Sequence, residues 1–307
     1  MSPDARSYLS NALDIMEKNS LMRHQVTWAD VRRTAFSQAQ GAREPANTYD
    51  AINAALQTVG AGHSSFMPPK QVEEVLNSSP DTAIDGPEGR TTGERIGYVS
   101  LPGVLASDAA YAQYVRQGRD AVARADSPAA CGWVVDLRDN RGGNMWPMLA
   151  VVAPLLGSGT VGMFVDTDGK KSLWTVEDGS PREDGRPFGW GDSAPVTNAG
   201  APVAVLTSGE TASSGEAVVI AFQGRPDTPF FGQYTGGIPT GNAVHRLSDG
   251  AMLVLTEVRD ADRTGRTYDA SIPPDEVIDA DGRSSEARPD KALAAAKDWL
   301  LRHEACH

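Results

Sequence analysis

Hydrophobic and polar positions divide the chain into an N-terminal part with helical spacing and a longer part in which strands alternate with helices. Before residue 60, apolar residues recur every three or four positions over residues 4–20, 26–36 and 48–59, which predicts three helices. From residue 95 onward, short β-rich runs alternate with helical runs. The alternation predicts an α/β core over 95–307, preceded by a helical subdomain over 1–77.

A polar linker precedes the predicted core, which contains strands, helices and a polar surface loop. Residues 78–94 are rich in Pro, Gly, Ser and acidic residues and predict a linker, and residues 177–198 predict a long surface loop. Strands are predicted at 95–101, 132–137, 161–166, 202–206 and 229–234, a hairpin around 248–250, and helices at 106–125, 145–156, 217–222 and 289–301.

Residues 202–222 are the stretch around which the chain is organised. They read PVAVLTSGETASSGEAVVIAF, a buried strand, a turn of small residues and an apolar helix. Ser213 stands where the turn enters the helix, so backbone N–H groups and the helix dipole favour a nucleophile there. Ser213 to Glu216 also fits the S-x-x-E capping box, and a helix cap is the structural alternative.

Composition and charge narrow the possible partners. The 307 residues are 40% hydrophobic and carry a net charge of −12 without a basic run, so we expect no nucleic-acid partner. The N-terminus lacks the continuous apolar stretch of a signal peptide, and no later stretch approaches the ~20 apolar residues of a membrane span, so we expect no membrane association. Cys131 and Cys306 are far apart in the sequence, and Cys131 opens an apolar strand. We therefore expect a reduced, cytoplasmic protein without a metal ion or cofactor.

Two further loops carry residues suited to catalysis. His63, in the loop Gly62-His63-Ser64, is the one histidine of five predicted to lie in a tight turn just after a helix. Such a ring can serve as a base, although a structural histidine is the alternative. Gly142 and Gly143 follow a predicted buried strand and could turn backbone N–H groups toward a phosphate or a carbonyl. A turn that requires positive φ is the alternative.

These three segments occur in the order found in a known family. G-H-S at His63, VVDLRDNRGGN at 134–144 and VAVLTSGETASSGEAV at 203–218 resemble the landmark segments of the C-terminal-processing (tail-specific) serine peptidases. The resemblance extends over about residues 50–280. It implies a Clp protease/crotonase-like spiral of ββα units and a serine hydrolase, most simply a peptidase that acts through an acyl-enzyme.

The resemblance also implies roles for particular residues. Ser213 corresponds to the nucleophile, and the N–H groups of Ser214 and of the Gly142-Gly143 pair correspond to the oxyanion hole. Residues 231–238, where the Ser-Lys branch of the family has its lysine, contain none. The chain therefore resembles the histidine-using branch, typified by the tricorn core and retinoid-binding-protein-like repeats, in which His63 corresponds to the base.

The acid and the substrate contacts are less directly indicated. For the residue that orients the histidine we favour Asp269, with Asp262 and Asp275 as alternatives. About 25 residues separate Pro69 from Arg95, too few for the peptide-binding PDZ domain of tail-specific proteases. Specificity is therefore expected to come from apolar residues near the catalytic loops. The candidates are Phe66, Met145 and Trp146, with Met67 and Met148 beside them.

The substrate is expected to be a peptide or a small amide or ester. The alternatives are a binder of a small apolar ligand on the same scaffold, without proteolysis, and acyl-thioester chemistry of the crotonase type. The sequence does not indicate an oligomeric state.

Overall fold

The computed structural model describes residues 1–59, 62–77, 85–92, 95–278 and 290–307, with the backbone alone for 75–77. These residues belong to two compact units. The first comprises Met1–Thr82, Val165–Lys170 and Thr240–Arg259, and the second comprises Ala83–Phe164, Lys171–Pro239 and Asp260–His307. The first unit therefore includes two segments that the sequence pattern assigns to the core.

The described residues form helices α1–α8 and strands β1–β13. The helices are α1 (Pro3–Asn19), α2 (Trp28–Gln38), α3 (Tyr49–Val59), α4 (Pro69–Asn77), α5 (Asp108–Ala125), α6 (Met145–Leu156), α7 (Ser214–Phe222) and α8 (Lys291–Arg302). The strands are β1 (Ser65–Met67), β2 (Glu88–Thr92), β3 (Ile96–Ser100), β4 (Gly132–Asp136), β5 (Gly159–Asp166), β6 (Lys171–Glu177), β7 (Ser180–Glu183), β8 (Arg186–Pro187), β9 (Val203–Thr207), β10 (Phe230–Gly232), β11 (Thr240–Arg246), β12 (Met252–Asp262) and β13 (Glu276–Val277). No helix within these described ranges is long and apolar enough to cross a membrane.

The first unit packs helices α1, α2 and α3 against a small antiparallel sheet. The three helices confirm the helical spacing of the N-terminal sequence, and their apolar faces share one core with Phe66 of β1 and Leu253 of β12. In the sheet, β12 pairs with β1 and β11, so that Phe66 lies opposite Leu253 and Val244 opposite Val254. The β11–β12 hairpin is the one predicted around residues 248–250.

The second unit is built on a six-stranded sheet in the order β13-β10-β9-β4-β3-β2. The strands β3, β4, β9, β10 and β13 are mutually parallel, and β2 is antiparallel to β3. Side chains alternate between the two faces, so Trp133 and Val135 of β4 pack with α5, α6 and α7 while Val134 packs with α8. The runs predicted as buried strands are therefore covered by helices on both faces.

This parallel arrangement determines where the loops of interest lie. The carboxyl ends of parallel strands face the same edge of a sheet, and ligand sites of open α/β sheets lie at that edge. The segments that follow β3, β4, β9 and β10 therefore emerge side by side, in the spatial order of those strands. They contain the glycine loop after β4 and the serine turn after β9.

Two predicted surface segments contain strands instead. β2 lies in the predicted linker, whose residues 78–84 and 93–94 are outside the described residues. β7 and β8 lie in the predicted loop 177–198 and continue the order β5-β6-β7-β8. Their composition is that of a loop because most of their side chains are partly or fully exposed.

The two cysteines form a disulfide, which corrects the expectation of reduced thiols. Cys131 precedes β4 and Cys306 follows α8, and their Cα atoms are 4.9 Å apart. The pairing was missed because 175 residues separate the two cysteines in the sequence. The fold joins them by packing α8 against β4.

Candidate active site

Ser213 lies in a strained turn at the start of α7, within the second unit. Its φ and ψ are 53° and −120°, a region that residues with a side chain rarely adopt. Such strain persists where the surroundings enforce it, and it is common at catalytic residues. The residue is partly accessible. It lies at the N-terminus of α7, where the first backbone N–H groups of the helix have no partner within the helix.

The carboxylate of Glu216 holds this turn in place. It is fully buried and accepts the backbone N–H of Ser213 at 2.9 Å, which is one of the two bonds of the predicted capping box. It also accepts the N–H groups of Gly237 and Ile238, both at 2.9 Å, and the hydroxyl of Thr235. The residue therefore fastens the serine turn to the segment that follows β10.

A second buried carboxyl group lies near Glu216. Asp260 is almost completely buried, and its Oδ1 has no hydrogen-bond partner among the described residues. Burial, and secondarily the negative charge of Glu216, raise the pKa of Asp260 well above its ordinary value. Both effects favour the neutral form of the Asp260 side chain.

The glycine loop packs directly against the serine turn. Gly142 and Gly143 have φ values of 96° and 114°, as the sequence alternative of a positive-φ turn requires. A Cβ on Gly142 would lie 2.9 Å from the Cβ of Ser213, and one on Gly143 would lie 2.0 Å from the carbonyl oxygen of Val104. Only glycine permits both close approaches.

Asn140 joins the two loops. Its backbone oxygen accepts the N–H of Ala212 at 2.9 Å, and its side-chain Oδ1 accepts the N–H of Gly142 at 3.0 Å. The side-chain amide of this buried residue donates to the carbonyl of Leu101 at 3.0 Å. No pattern in the sequence indicates this role, because Asn140 is one of several polar residues in the loop.

These bonds distinguish the two glycine amides. The N–H of Gly142 is engaged by Asn140, whereas the N–H groups of Gly143 and Ser214 donate to no other protein group within the described residues. Gly143 and Ser214 are neighbours, since the Ser214 hydroxyl donates to the Gly143 carbonyl at 2.8 Å. Two available amides thus lie beside the serine, which is the arrangement an oxyanion requires.

Arg138 anchors the other end of the glycine loop. Its guanidinium bonds Asp136 at the end of β4 and Asp290 before α8, at 2.6 and 2.8 Å. The hydroxyl of Ser208 donates to the carbonyl oxygen of Arg138. These half-buried bonds tie the start of the glycine loop to α8 and to the start of the serine turn.

His63 lies in the first unit, in the loop between α3 and β1. Its Nδ1 is 2.8 Å from the Oγ1 of Thr240, the first residue of β11, and its carbonyl accepts the side-chain amide of Asn242 at 3.2 Å. Burial lowers the pKa of His63, so the ring stays neutral to a lower pH than an exposed histidine does. Thr240 was missed in the sequence because it lies 177 residues away.

The structure places the acid candidates in the second unit with different surroundings. Asp262 accepts the hydroxyl of Tyr268 at 2.9 Å, and Asp275 accepts the N–H of Phe230 at 2.8 Å. Asp269 is exposed. Asp262 and Asp275 therefore have structural roles, and the assignment of Asp269 as the acid stays a prediction.

The predicted substrate contacts differ in accessibility. Phe66 is buried in the core of the first unit, with its ring 5.0 Å from that of Tyr49, and Met145 is buried in the core of the second. Trp146 is partly exposed and stacks on Phe188 at 4.2 Å. Of the three, Trp146 is the one that is not buried.

The strained serine, the helix N-terminus and the two available amides define the class of site as that of a serine-type hydrolase. Residues 95–278 match the family model described as peptidase family S41. This match spans more than half of the chain, and the chain belongs to peptidase family S41. It is a serine-type peptidase, and the resemblance to the C-terminal-processing peptidases is confirmed.

Individual proteins are similar to this chain in sequence or in structure. The nisin-resistance protein of Lactococcus lactis subsp. lactis is 26% identical over 266 residues, 87% of this chain and 80% of the relative. A lipoprotein from Streptococcus agalactiae is similar in structure, with a TM-score of 0.80, 25% identity and coverage of 98% of this chain and 97% of the relative. The photosystem II D1 C-terminal processing protease has a TM-score of 0.64 at 16% identity, covering 91% and 94%. These similarities confirm the predicted mixed α/β fold.

Proposed function

We propose that this peptidase cleaves peptide bonds through an acyl-enzyme on Ser213, with His63 as general base. The Oγ of Ser213 attacks the scissile carbonyl carbon and its proton passes to Nε2 of His63. Collapse of the tetrahedral intermediate breaks the C–N bond, and the proton on His63 leaves with the amine. A water molecule then attacks the acyl ester, giving its proton to His63, and Ser213 recovers a proton as the new carboxylate departs.

The observation that carries the proposal is the strained backbone of Ser213 beside two available amides. The negative charge that develops on the carbonyl oxygen would be stabilised by the N–H groups of Gly143 and Ser214. Gly143 is the better donor of the glycine pair, since Asn140 already accepts the N–H of Gly142. Removing one such donor costs roughly a hundredfold to a thousandfold in kcat in a serine protease.

The surroundings of His63 suit a general base. The lowered pKa keeps the ring unprotonated near neutral pH, and the hydroxyl of Thr240 is placed to accept a hydrogen bond from a proton on Nδ1, the tautomer in which Nε2 is the basic nitrogen. In a catalytic triad the acid contacts Nδ1 of the histidine, and here Thr240 bonds that atom. We therefore propose at most an indirect role in catalysis for Asp269. An Asp269→Asn variant with unchanged kcat/KM would exclude even that role.

Covalent labelling tests the proposed nucleophile and base. A serine-directed fluorophosphonate should modify Ser213 of the native chain, and the Ser213→Ala and His63→Ala variants should lose the label. Ser248→Ala and His24→Ala, in a hairpin turn and at an exposed ion pair, are the matched controls and should label like the native chain. Equal labelling of all five proteins would refute the assignment.

For the substrate, we propose a nisin-like peptide, on the basis of the relative named for nisin resistance. Nisin incubated with the native chain should yield fragments that mass spectrometry detects, and nisin incubated with Ser213→Ala should stay intact. Intact nisin alongside cleavage of other peptides would leave the peptidase assignment standing and remove this substrate.

For the compartment, the disulfide supports an oxidising one, because such bonds are rare in the reducing cytosol. The expected cytoplasmic location depended partly on reduced cysteines. Thiol alkylation in intact cells tests this proposal: Cys131 and Cys306 should be protected from the reagent unless a reductant is added first. Ready modification without a reductant would favour the cytoplasm.

A further inference from the structure

The loops at the carboxyl edge of the parallel sheet carry two exposed large hydrophobic side chains. In the described part of the second unit, the exposed large hydrophobic residues are Leu105, Leu173, Tyr234 and Val277. Leu105 follows β3 and Tyr234 follows β10. Since the spatial order is β3-β4-β9-β10, these two residues flank the glycine loop and the serine turn on opposite sides. Single exposed hydrophobic residues are common on protein surfaces, so their placement carries the argument.

Leu105 is held beside the glycine loop by its neighbours. The preceding residue, Val104, is buried and exchanges backbone hydrogen bonds with Gly142 and Asn144 at 3.0 and 2.7 Å. The following Ala106 donates to the hydroxyl of Tyr111 at 3.3 Å. The Leu105 side chain is nevertheless 76% exposed. An ordered backbone thus presents an uncovered leucine next to Gly143.

Tyr234 is held in the same way beside the serine turn. On one side, the hydroxyl of Thr207 donates to the carbonyl of Gln233 at 2.7 Å. On the other, the hydroxyl of Thr235 donates to Glu216, and the following N–H of Gly236 donates to Thr211 at 2.8 Å. The Tyr234 side chain is 53% exposed. Its anchoring residues therefore contact the turn that carries Ser213.

Two charged residues on these loops form an ion pair. Arg141 of the glycine loop pairs with Glu210 of the serine turn at 2.6 Å, and both side chains are largely exposed. The pair therefore provides little net attraction for a charged substrate group near the serine. Beside it, the exposed side chains of Leu105 and Tyr234 offer apolar surface, whose removal from water by a ligand is favourable.

We infer that Leu105 and Tyr234 are specificity-determining residues that contact apolar side chains on opposite sides of the bond cut by Ser213. The inference rests on the proposed function and adds a substrate class: peptides with apolar residues on both sides of the scissile bond. Neighbouring strands are about 4.8 Å apart, so β3 and β10, three steps apart in the sheet, are separated by roughly 14 Å. An extended peptide covers that distance with about four residues. The side chains concerned are therefore about two residues from the scissile bond in each direction.

The test compares matched peptides on four proteins. A quenched fluorescent peptide that the native chain cleaves is made in three versions: apolar on both sides, polar on the N-terminal side, and polar on the C-terminal side. The proteins are the native chain, Leu105→Asn, Tyr234→Ser and the control Leu173→Asn, which changes an exposed leucine on β6. Melting curves check that all four are folded, as expected for exposed positions.

Each variant should lose the preference on one side only. We expect the native chain and Leu173→Asn to cleave the doubly apolar peptide roughly tenfold faster, in kcat/KM, than either polar version. Leu105→Asn should abolish the preference on one side, and Tyr234→Ser the preference on the other, mainly through KM. Unchanged preferences in both variants, or a native chain without any preference, would overturn the inference.

Fluorophosphonate labelling of the native chain separates this outcome from failure of the proposed function. If the native chain labels at Ser213 and cleaves peptides while both variants keep the native preference for apolar residues, only the role of Leu105 and Tyr234 is wrong. If the native chain neither labels at Ser213 nor cleaves any peptide, the proposed function fails and the inference fails with it.

Discussion

Thr240 is a hydrogen-bond partner of Nδ1 in the His63 ring, at 2.8 Å. In the proposed mechanism the hydroxyl accepts a hydrogen bond from the proton on Nδ1, so that Nε2 is the atom that takes the proton of Ser213. Valine has the shape of threonine but cannot accept a hydrogen bond. In Thr240→Val we expect kcat to fall roughly tenfold, about 1.4 kcal/mol, with little change in KM.

The conservative variant separates this role from packing. Thr240→Ser keeps the hydroxyl and should retain most of the native kcat, although it loses a methyl group. Steady-state kinetics on one peptide measures all three proteins. Equal losses in the valine and serine variants would indicate that the methyl group, and not the hydroxyl, matters.

The burial of His63 predicts the pH dependence of the reaction. If His63 is the base as proposed, a protonated ring cannot accept the proton of Ser213, and activity should fall as the pH drops through the pKa of His63. Burial disfavours the charged form and lowers that pKa, so the acidic limb of kcat/KM should have its midpoint below about 6.5, the value for an exposed histidine. A pH profile with a midpoint at or above that value would contradict the assignment of His63 as the base.

At the scale of elements, Glu216 couples α7 to the segment after β10. Its carboxylate accepts four hydrogen bonds. Three of them come from backbone N–H groups, which cannot rotate away as a side chain can. In Glu216→Gln, one acceptor becomes an NH₂ group that faces donors. We expect the free energy of unfolding to fall by about 1–3 kcal/mol and kcat to fall at least tenfold, since the Ser213 turn relaxes.

The control is Glu177→Gln, which changes a partly exposed glutamate paired with Arg182 on neighbouring strands. It should leave both quantities nearly unchanged. Denaturant unfolding and peptide kinetics measure the two effects. A Glu216→Gln variant with native stability and kcat would show that the turn keeps its strained conformation without this carboxylate.

The elements that carry the serine turn and glycine loop were predictable because their signals are local. The apolar run of β9 and the apolar face of α6 each follow from a dozen residues or fewer, and both elements formed where predicted. β2 and β7 were missed because the strands EGRTT and SPRE lack the apolar, β-branched side chains that indicate a strand, although two residues of β7 are buried. Their pairing depends on neighbouring strands, β3 and β6, which the sequence of each run does not encode.

At the scale of the whole molecule, the unpredicted features are the ones that join distant segments. Thr240 contacts His63, although 177 residues separate the two in the sequence. The β11–β12 hairpin likewise belongs to the first unit although it lies late in the sequence. The loops of Ser213 and of Gly143 could be predicted separately from their own residues. Asn140, which fixes one loop on the other, could be recognised only once the strands were placed in order.

The disulfide between Cys131 and Cys306 links two residues that are far apart in the sequence, and it leads to a prediction for the whole molecule. It closes a loop of 175 residues and holds the end of the chain beside β4, against which α8 packs. Removing a native disulfide typically costs 2–5 kcal/mol, largely by freeing the unfolded chain. The Cys131→Ser/Cys306→Ser double variant should therefore melt roughly 5–15 °C below the native chain. Because Asp290, which pairs with Arg138, lies just before α8, peptidase activity should also be lost at a lower temperature.

Dithiothreitol should lower the Tm of the native chain toward that of the double variant and leave the variant unaffected. A native Tm that is insensitive to the reductant and equal to that of the variant would mean that packing of α8 alone secures this end of the fold.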